Sequence, residues 1–333
     1  FSQVTFRLGS ILPDGFPTDI DQSNRFASFL TQQEQKTFQF CEEQSYRTQI
    51  FSASIFHLGW YNSMYWRFHM PKNIKDRVIE HFGKAADGYI HDSGFATGPD
   101  LEEAVRLLKP TQEDVVLDVA TGGGHTALFF SPLVRNVVAS DLTMQMLKKA
   151  QEHISEEGGV ENVTFREADA EDLPFPSGSF TILTCRIAPH HFPDVPRSLQ
   201  EFHRVLRRRV GRMVIIDTLL PDDPEIAEFY QTMEQMRDPT HIQAFTEEQW
   251  RQMIEAAEFE IQATAVFEKT HEFRTWANRA GLSKEKFSEL NQYFIDAPDK
   301  IHDYFQIETF AGDVETYTDK KLLLYATRID TKR

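Results

Sequence analysis

From residue 73 onward, apolar positions fall alternately into short runs and helical stripes, whereas residues 1–69 sustain neither a 3.6-residue nor a 2-residue period. Residues 73–82 and 99–108 read as helices, with Pro99 suited to a first helical turn where its missing N–H costs nothing. Residues 114–119 form an apolar strand that runs into a glycine-rich turn. Further strands are expected at 136–140, 163–167, 180–185 and 212–217. Helices fall between them. One spans 143–154, with Thr143 as its N-cap; another spans 194–207, with Val195, Leu199, Phe202, Val205 and Leu206 on one face; others span 224–236 and 246–257. Strands at 260–267 and 321–327 complete the set.

Strands alternating with helices require a parallel sheet covered on both faces. The last two strands, read as close together, fit an antiparallel addition at one edge. The expected fold is therefore α/β, a Rossmann-like, mostly parallel seven-stranded sheet with helices on both faces and an antiparallel edge strand. Residues 1–69 mix scattered Phe, Gln and Ser with single charges and end in aromatics around Trp60, Tyr61, Tyr65 and Trp66. They are expected to be an N-terminal extension, poorly ordered or lid-like, ahead of one domain at 70–333. The first residue is Phe, which fits a fragment, a processed form or a frame read past its start, with Met70 as a candidate natural start.

Composition narrows the function. Of the net charge of −16, residues 70–333 carry −15. A field of that sign repels phosphate backbones and argues against a nucleic-acid partner. The basic run Arg207-Arg208-Arg209 falls where a helix should end and reads as compensation of its dipole. No stretch approaches the roughly 20 apolar residues of a membrane span, and no secretory pattern opens the chain, so stable membrane insertion is not expected. Two cysteines, Cys41 and Cys185, make neither a disulfide framework nor a metal site, which points to a reducing cytoplasm. No histidine pair has the helical spacing of a metal site.

The chemistry concentrates after the first strand, at Val115-Val116-Leu117-Asp118-Val119-Ala120-Thr121-Gly122-Gly123-Gly124-His125-Thr126. Glycines there permit positive φ and close approach of a ligand, and a helix N-terminus follows. Gly122-x-Gly124-x-x-Ala127 with Asp141 also satisfies a dinucleotide fingerprint, so NAD is a rival ligand on these residues alone.

Asp118 ahead of the turn, Asp141 after the second strand, and Glu167-Ala168-Asp169-Ala170-Glu171-Asp172 after the third occur in the order found in class I S-adenosylmethionine-dependent methyltransferases. The chain resembles that family over about residues 82–329. Through Pro174-Phe175-Pro176-Ser177-Gly178-Ser179-Phe180 and Cys185-Arg186-Ile187-Ala188-Pro189-His190-His191, it is similar to the ubiquinone and menaquinone biosynthesis type.

The resemblance implies S-adenosylmethionine as cofactor. Asp118, Ala120, Gly122 and Gly124 would form its turn, Asp141 with Leu142 would hold the ribose, and Asp169 with Ala170 would hold the adenine. It also implies a lid around Tyr89 and residues 93–98. Arg186 reads as a contact to the cofactor carboxylate, to a substrate anion or to a salt bridge. Ala120 replaces the family's first glycine, a small change if its backbone stays ordinary. Thr181 and Phe95 stand where relatives carry Asp and His.

His190 and His191, ending strand four, are the candidate general bases, since imidazole titrates near neutrality. Asp217 ends strand five at the same cleft edge. Phe229, Tyr230, Phe245 and Trp250 are candidates for an apolar substrate pocket, although helical spacing favours core packing for at least two. The expected function is methyl transfer from S-adenosylmethionine to O, C or N of a small-molecule acceptor. The alternatives are a non-catalytic protein binding the same cofactor, or an NAD-dependent oxidoreductase. The acceptor and the oligomeric state are not legible.

Overall fold

The computed structural model describes residues 74–90, 98–157 and 160–330, without the side chains of 83–90. The expected extension at 1–69, the segment 93–97 and the Tyr89 side chain lie outside the described residues. Elements run α1 (Ile74–Ile90), α2 (Pro99–Leu108), β1 (Val115–Val119), α3 (His125–Phe130), β2 (Asn136–Asp141), α4 (Met144–Glu156), β3 (Val163–Glu167), β4 (Ile182–Arg186), α5 (Val195–Val205) and β5 (Arg212–Thr218). They continue as α6 (Pro224–Arg237), α7 (Glu247–Ala256), β6 (Phe259–Glu272), α8 (Phe273–Arg279), α9 (Lys284–Ile295), α10 (Asp299–Phe305), β7 (Glu308–Phe310) and β8 (Asp313–Arg328).

The sheet order is β3-β2-β1-β4-β5-β8-β6, with the three-residue β7 paired to β8 as an eighth strand. β1 to β5 pair in parallel, and β8 runs antiparallel to both β5 and β6. Alternate residues of the central strands feed opposite faces, as strand geometry demands. Leu117, Leu183, Met213 and Leu322 pack into the core on one face with Phe202 and Trp250. Val116, Ile182, Val214 and Leu323 pack on the other with Leu101 and Phe130. Burial on both sides is why these strands read as continuous apolar runs. The arginine run 207–209 is exposed just after α5, as expected.

Two features depart from the expected pattern. The final strands are not neighbours in sequence: three helices, α8 to α10, separate β6 from β7 and β8. β6 and β8 are also far longer than the apolar runs that announced them. Their pairing continues to Glu272↔Thr316, well past Thr218↔Lys321, where β5 ends. This overhanging antiparallel pair packs with α6 and α8 to α10 around its own core, built on Phe229, Tyr230, Phe273, Phe294, Phe305 and Tyr317. The result is a cap at the carboxyl ends of the parallel strands. The chain moves outward from β1 to β3 and returns to β4, so a crevice opens beyond β1 and β4, where open α/β sheets bind ligands.

Candidate active site

A cavity occupies that crevice, and the turn after β1 forms its floor. Gly122 (φ 55°) and Gly124 (φ 80°) are left-handed, and a Cβ on Gly124 would lie 3.0 Å from Ala150 Cβ of α4. Glycine there is required by both backbone and packing. Ala120 is left-handed too, at φ 53°, so the glycine it replaces was not idle and the substitution stores strain. Ile187, across the crevice after β4, has φ 52°, an outlier for a β-branched residue. Both strained residues line the cavity.

Asp118 is buried behind this wall rather than in it. Its carboxylate accepts from Thr121 Oγ1 at 2.6 Å and Thr184 Oγ1 at 2.7 Å, which ties the turn to β4. Burial pushes its pKa up to about 6 despite those bonds. Asp141 does line the cavity. Its Oδ2 accepts from the Gly122 N–H at 3.0 Å and its Oδ1 from the Thr143 N–H at 2.9 Å, so it bridges the turn to the start of α4. Thr143 sits at the N-cap, but its own hydroxyl makes no capping bond. Burial pushes Asp141 to about 6 as well, against both backbone donors. The carboxylate faces the cavity, where it can accept from a ligand hydroxyl.

Leu142, Asp169, Ala170 and Arg186 also line the cavity, as do Gly122, His190 and His191, whereas Gly124 acts from behind the turn. Arg186 is buried, with Nε on Asp100 Oδ2 at 2.7 Å, so much of its charge is spent on an internal pair. Thr181, in place of an acid, accepts the Val115 N–H on its Oγ1 at 3.0 Å and joins β4 to β1. Lys75 of α1, not singled out in the sequence, reaches Asp169 Oδ2 at 2.5 Å and Glu171 Oε2 at 2.7 Å.

Opposite the turn, His190 Nδ1 lies 2.6 Å from Asp217 Oδ1, while the His190 N–H donates to Oδ2 at 2.9 Å. The carboxylate thus assigns the proton to Nδ1 and turns the Nε2 lone pair outward. Burial disfavours the imidazolium, yet the Asp217 charge outweighs it and the His190 pKa is raised. Burial acts against Asp217 ionisation, and His190 overrides it, holding the carboxyl below its usual range. His191 differs. Burial, reinforced by the neighbouring His190, lowers it to about 3, and its Nδ1 sits 3.1 Å from the Thr240 carbonyl. His190 is hydrogen-bonded to a carboxylate, whereas Asp238 acts on His191 only through its charge and does not offset the burial.

The aromatic expectation needs correction. Phe229 packs in the cap core, and Phe245 and Trp250 pack against the sheet; only Tyr230 lines the cavity. The rest of the upper wall is polar, with Glu234, Arg237, His241, Lys269, His271 and Lys321 among its members. The available signal was a set of charges set into otherwise apolar β6 and β8, visible only if those strands are extended past their apolar runs. Among the described residues, no group of His, Cys, Asp and Glu is arranged to hold a metal ion, and no helix is long and apolar enough to cross a membrane.

A family profile described as a methyltransferase domain matches residues 116–209, from β1 past α5. Over 226 residues the chain is 35% identical to the uncharacterized methyltransferase YcgJ of Bacillus subtilis, covering 68% of this chain and 88% of that one. It belongs to the S-adenosylmethionine-dependent methyltransferases. A crystal structure of a Bacillus halodurans protein assigned as a methyltransferase superposes with a TM-score of 0.66 at 36% identity, over 69% of this chain and 98% of that chain. The ubiquinone/menaquinone biosynthesis C-methyltransferase UbiE of Rickettsia akari is 27% identical over 196 residues, 57% of this chain and 76% of the relative.

S-adenosylmethionine is accordingly the cofactor, and the floor fits it: a turn too tight for a Cβ at Gly124, with the carboxylates of Asp141 and Asp169 lining the cavity beside it. The oxidoreductase alternative falls with this assignment.

Proposed function

We propose that this methyltransferase acts on a small-molecule acceptor that loses a proton as it gains the methyl group, with His190 as the general base. The observation that carries the reading is the His190–Asp217 pair, 2.6 Å apart and buried at the cavity wall. When bound, S-adenosylmethionine supplies an electrophilic methyl group on its sulfonium. The chain's own residues have three tasks. The floor around Gly122, Asp141 and Asp169 holds the cofactor, with Asp141 on the ribose and Asp169 with Ala170 at the adenine. The cap excludes water and orients the acceptor. His190 Nε2 takes the acceptor proton while Nδ1–H stays on Asp217, so the imidazolium that forms faces a fixed carboxylate.

The test is methyl transfer from labelled donor to phenolic, hydroxy-acid and amine acceptors, compared between the parent chain and His190→Gln. Turnover that drops by about 10²-fold or more in the variant supports the assignment. Equal turnover would remove His190 from the chemistry and leave positioning alone.

A further inference from the structure

A second imidazole stands beside the general base, and its tautomer is fixed by its neighbours. The Ala244 backbone locks the Gln231 amide: Nε2 donates to the Ala244 carbonyl at 3.1 Å, and Oε1 accepts the Ala244 N–H at 3.1 Å. His241 Nε2 lies 2.8 Å from that same Oε1, which can only accept, so the ring proton sits on Nε2 and Nδ1 carries the lone pair. His241 is 6% exposed and lines the cavity, and among the described residues its Nδ1 has no hydrogen-bond partner. Burial, reinforced by the neighbouring His190, lowers its pKa to about 4, so the ring stays neutral under ordinary conditions. A buried acceptor atom without a donor is rare, because it gives up its hydration for nothing.

The two rings are fixed to each other through the backbone. The His190 carbonyl accepts from the Ile242 N–H at 2.9 Å and the Gln243 N–H at 3.2 Å, and the His241 N–H donates to the Asp238 carbonyl at 3.1 Å. The ring centroids lie 5.4 Å apart, with planes inclined by 32°. His190 Nε2 and His241 Nδ1 are thus two accepting nitrogens at one end of the cavity. One donor atom at about 2.9 Å from both would sit about 4 Å from each centroid, with its two bonds at about 85°, within reach of a tetrahedral centre. A hydroxyl has one proton and matches one ring; a primary amine has two and matches both. With both N–H bonds so engaged, the amine lone pair is left to face the methyl carbon.

We infer that the methyl acceptor is a primary amine whose nitrogen is held between His190 Nε2 and His241 Nδ1, with His241 as the residue that selects nitrogen over oxygen. The inference rests on the general-base reading above and narrows its acceptor atom. The nitrogen lone pair forms the N–C bond as the C–S bond breaks and leaves its electron pair on sulfur. The methylated nitrogen then gives one proton to His190 Nε2. The product keeps one N–H where two are asked for, so a second transfer to the same nitrogen is disfavoured.

The test uses the full chain on the alkaline side of the His190 titration, with two isosteric pairs: 4-methylaniline with 4-methylphenol, and benzylamine with benzyl alcohol. Catechol is added because it carries two donors on separate oxygens. Transfer from labelled donor is expected for at least one amine, with kcat/KM about tenfold or more above its hydroxyl partner, and His241→Phe should shrink that preference to about threefold or less. Retained S-adenosylhomocysteine affinity and melting temperature show that the variant folds. Nitrogen-15 NMR of the parent, saturated with S-adenosylhomocysteine, reads the ring without any substitution: His241 Nδ1 should be unprotonated and should shift on addition of the preferred amine. A proton on Nδ1, a preference for hydroxyl or catechol, a preference that survives His241→Phe, or no transfer to either amine would each overturn the inference. Failure of the general-base reading looks different: amine preference and its dependence on His241 would stand while His190→Gln left turnover unchanged.

Discussion

His190, in the turn after β4, and Asp217, near the end of the adjacent parallel strand β5, are joined twice, ring nitrogen to Oδ1 at 2.6 Å and backbone N–H to Oδ2 at 2.9 Å. The double attachment fixes the position and tautomer of the ring before any ligand arrives. With the carboxylate gone, burial, the largest influence on the imidazole, is no longer outweighed and lowers its pKa. In Asp217→Asn the His190 ring, followed by NMR, should titrate below the parent value, and the acid limb of turnover should move to lower pH.

The same pair has a signed effect on stability. The raised His190 contributes below its unfolded pKa of about 6.5 and its contribution is lost as pH rises through the folded value; the depressed Asp217 contributes above about 3.8 and is lost as pH falls through its folded value. The melting-temperature gap between parent and Asp217→Asn should therefore be widest between about pH 4 and 6.5. A gap that keeps widening above neutrality would show that the pair is not ionic.

Ala120 carries φ 53° where only glycine is at ease. Ala120→Gly should raise stability by about 1 kcal/mol, read as a higher midpoint in urea with an unchanged slope. A lower midpoint would mean that the Ala120 methyl group, packed against the sheet core, contributes more than the strain costs.

Asp141 titrates near 6 because it is buried, and its ionised form is the one expected to accept two ribose hydroxyls. S-adenosylhomocysteine affinity should fall by up to about tenfold per unit as pH drops below that value. Asp141→Ala should weaken binding by about 2–4 kcal/mol at neutral pH and flatten the dependence. If the slope persists in the variant, the acid sensitivity belongs to Asp118, which titrates at the same value behind the turn.

Lys75 holds Asp169 Oδ2. If Asp169 receives the adenine amino group, Lys75→Met removes a competitor, and S-adenosylhomocysteine should bind about threefold or more tightly by calorimetry. Weaker binding would instead assign Lys75 to the wall that closes over the cofactor.

Most of the cofactor half was legible because its determinants are local. A buried strand, a turn that needs left-handed residues and a carboxylate at the next strand's end are each encoded within a few neighbours, so Gly122 and Asp141 stood out by spacing, and Asp169 by its resemblance to the family's pattern. The cost of Ala120 did not, because φ is a property of the folded turn. The upper wall of the cavity was almost invisible. Glu234, Arg237, His241, Lys269, His271 and Asp319 come from a helix, a loop and two strands spread over residues 234–319, and each looks alone like a solvated charge. Only the overhang of β6 on β8, and the helices inserted between them, bring these charges out of water and onto one cavity. Sequence by itself determined the alternation of strand and helix and the turn that meets the cofactor, since periodicity and backbone preference act residue by residue. Which charges are buried together was decided by tertiary structure, because desolvation and pairing exist only between residues that the fold has already brought into contact.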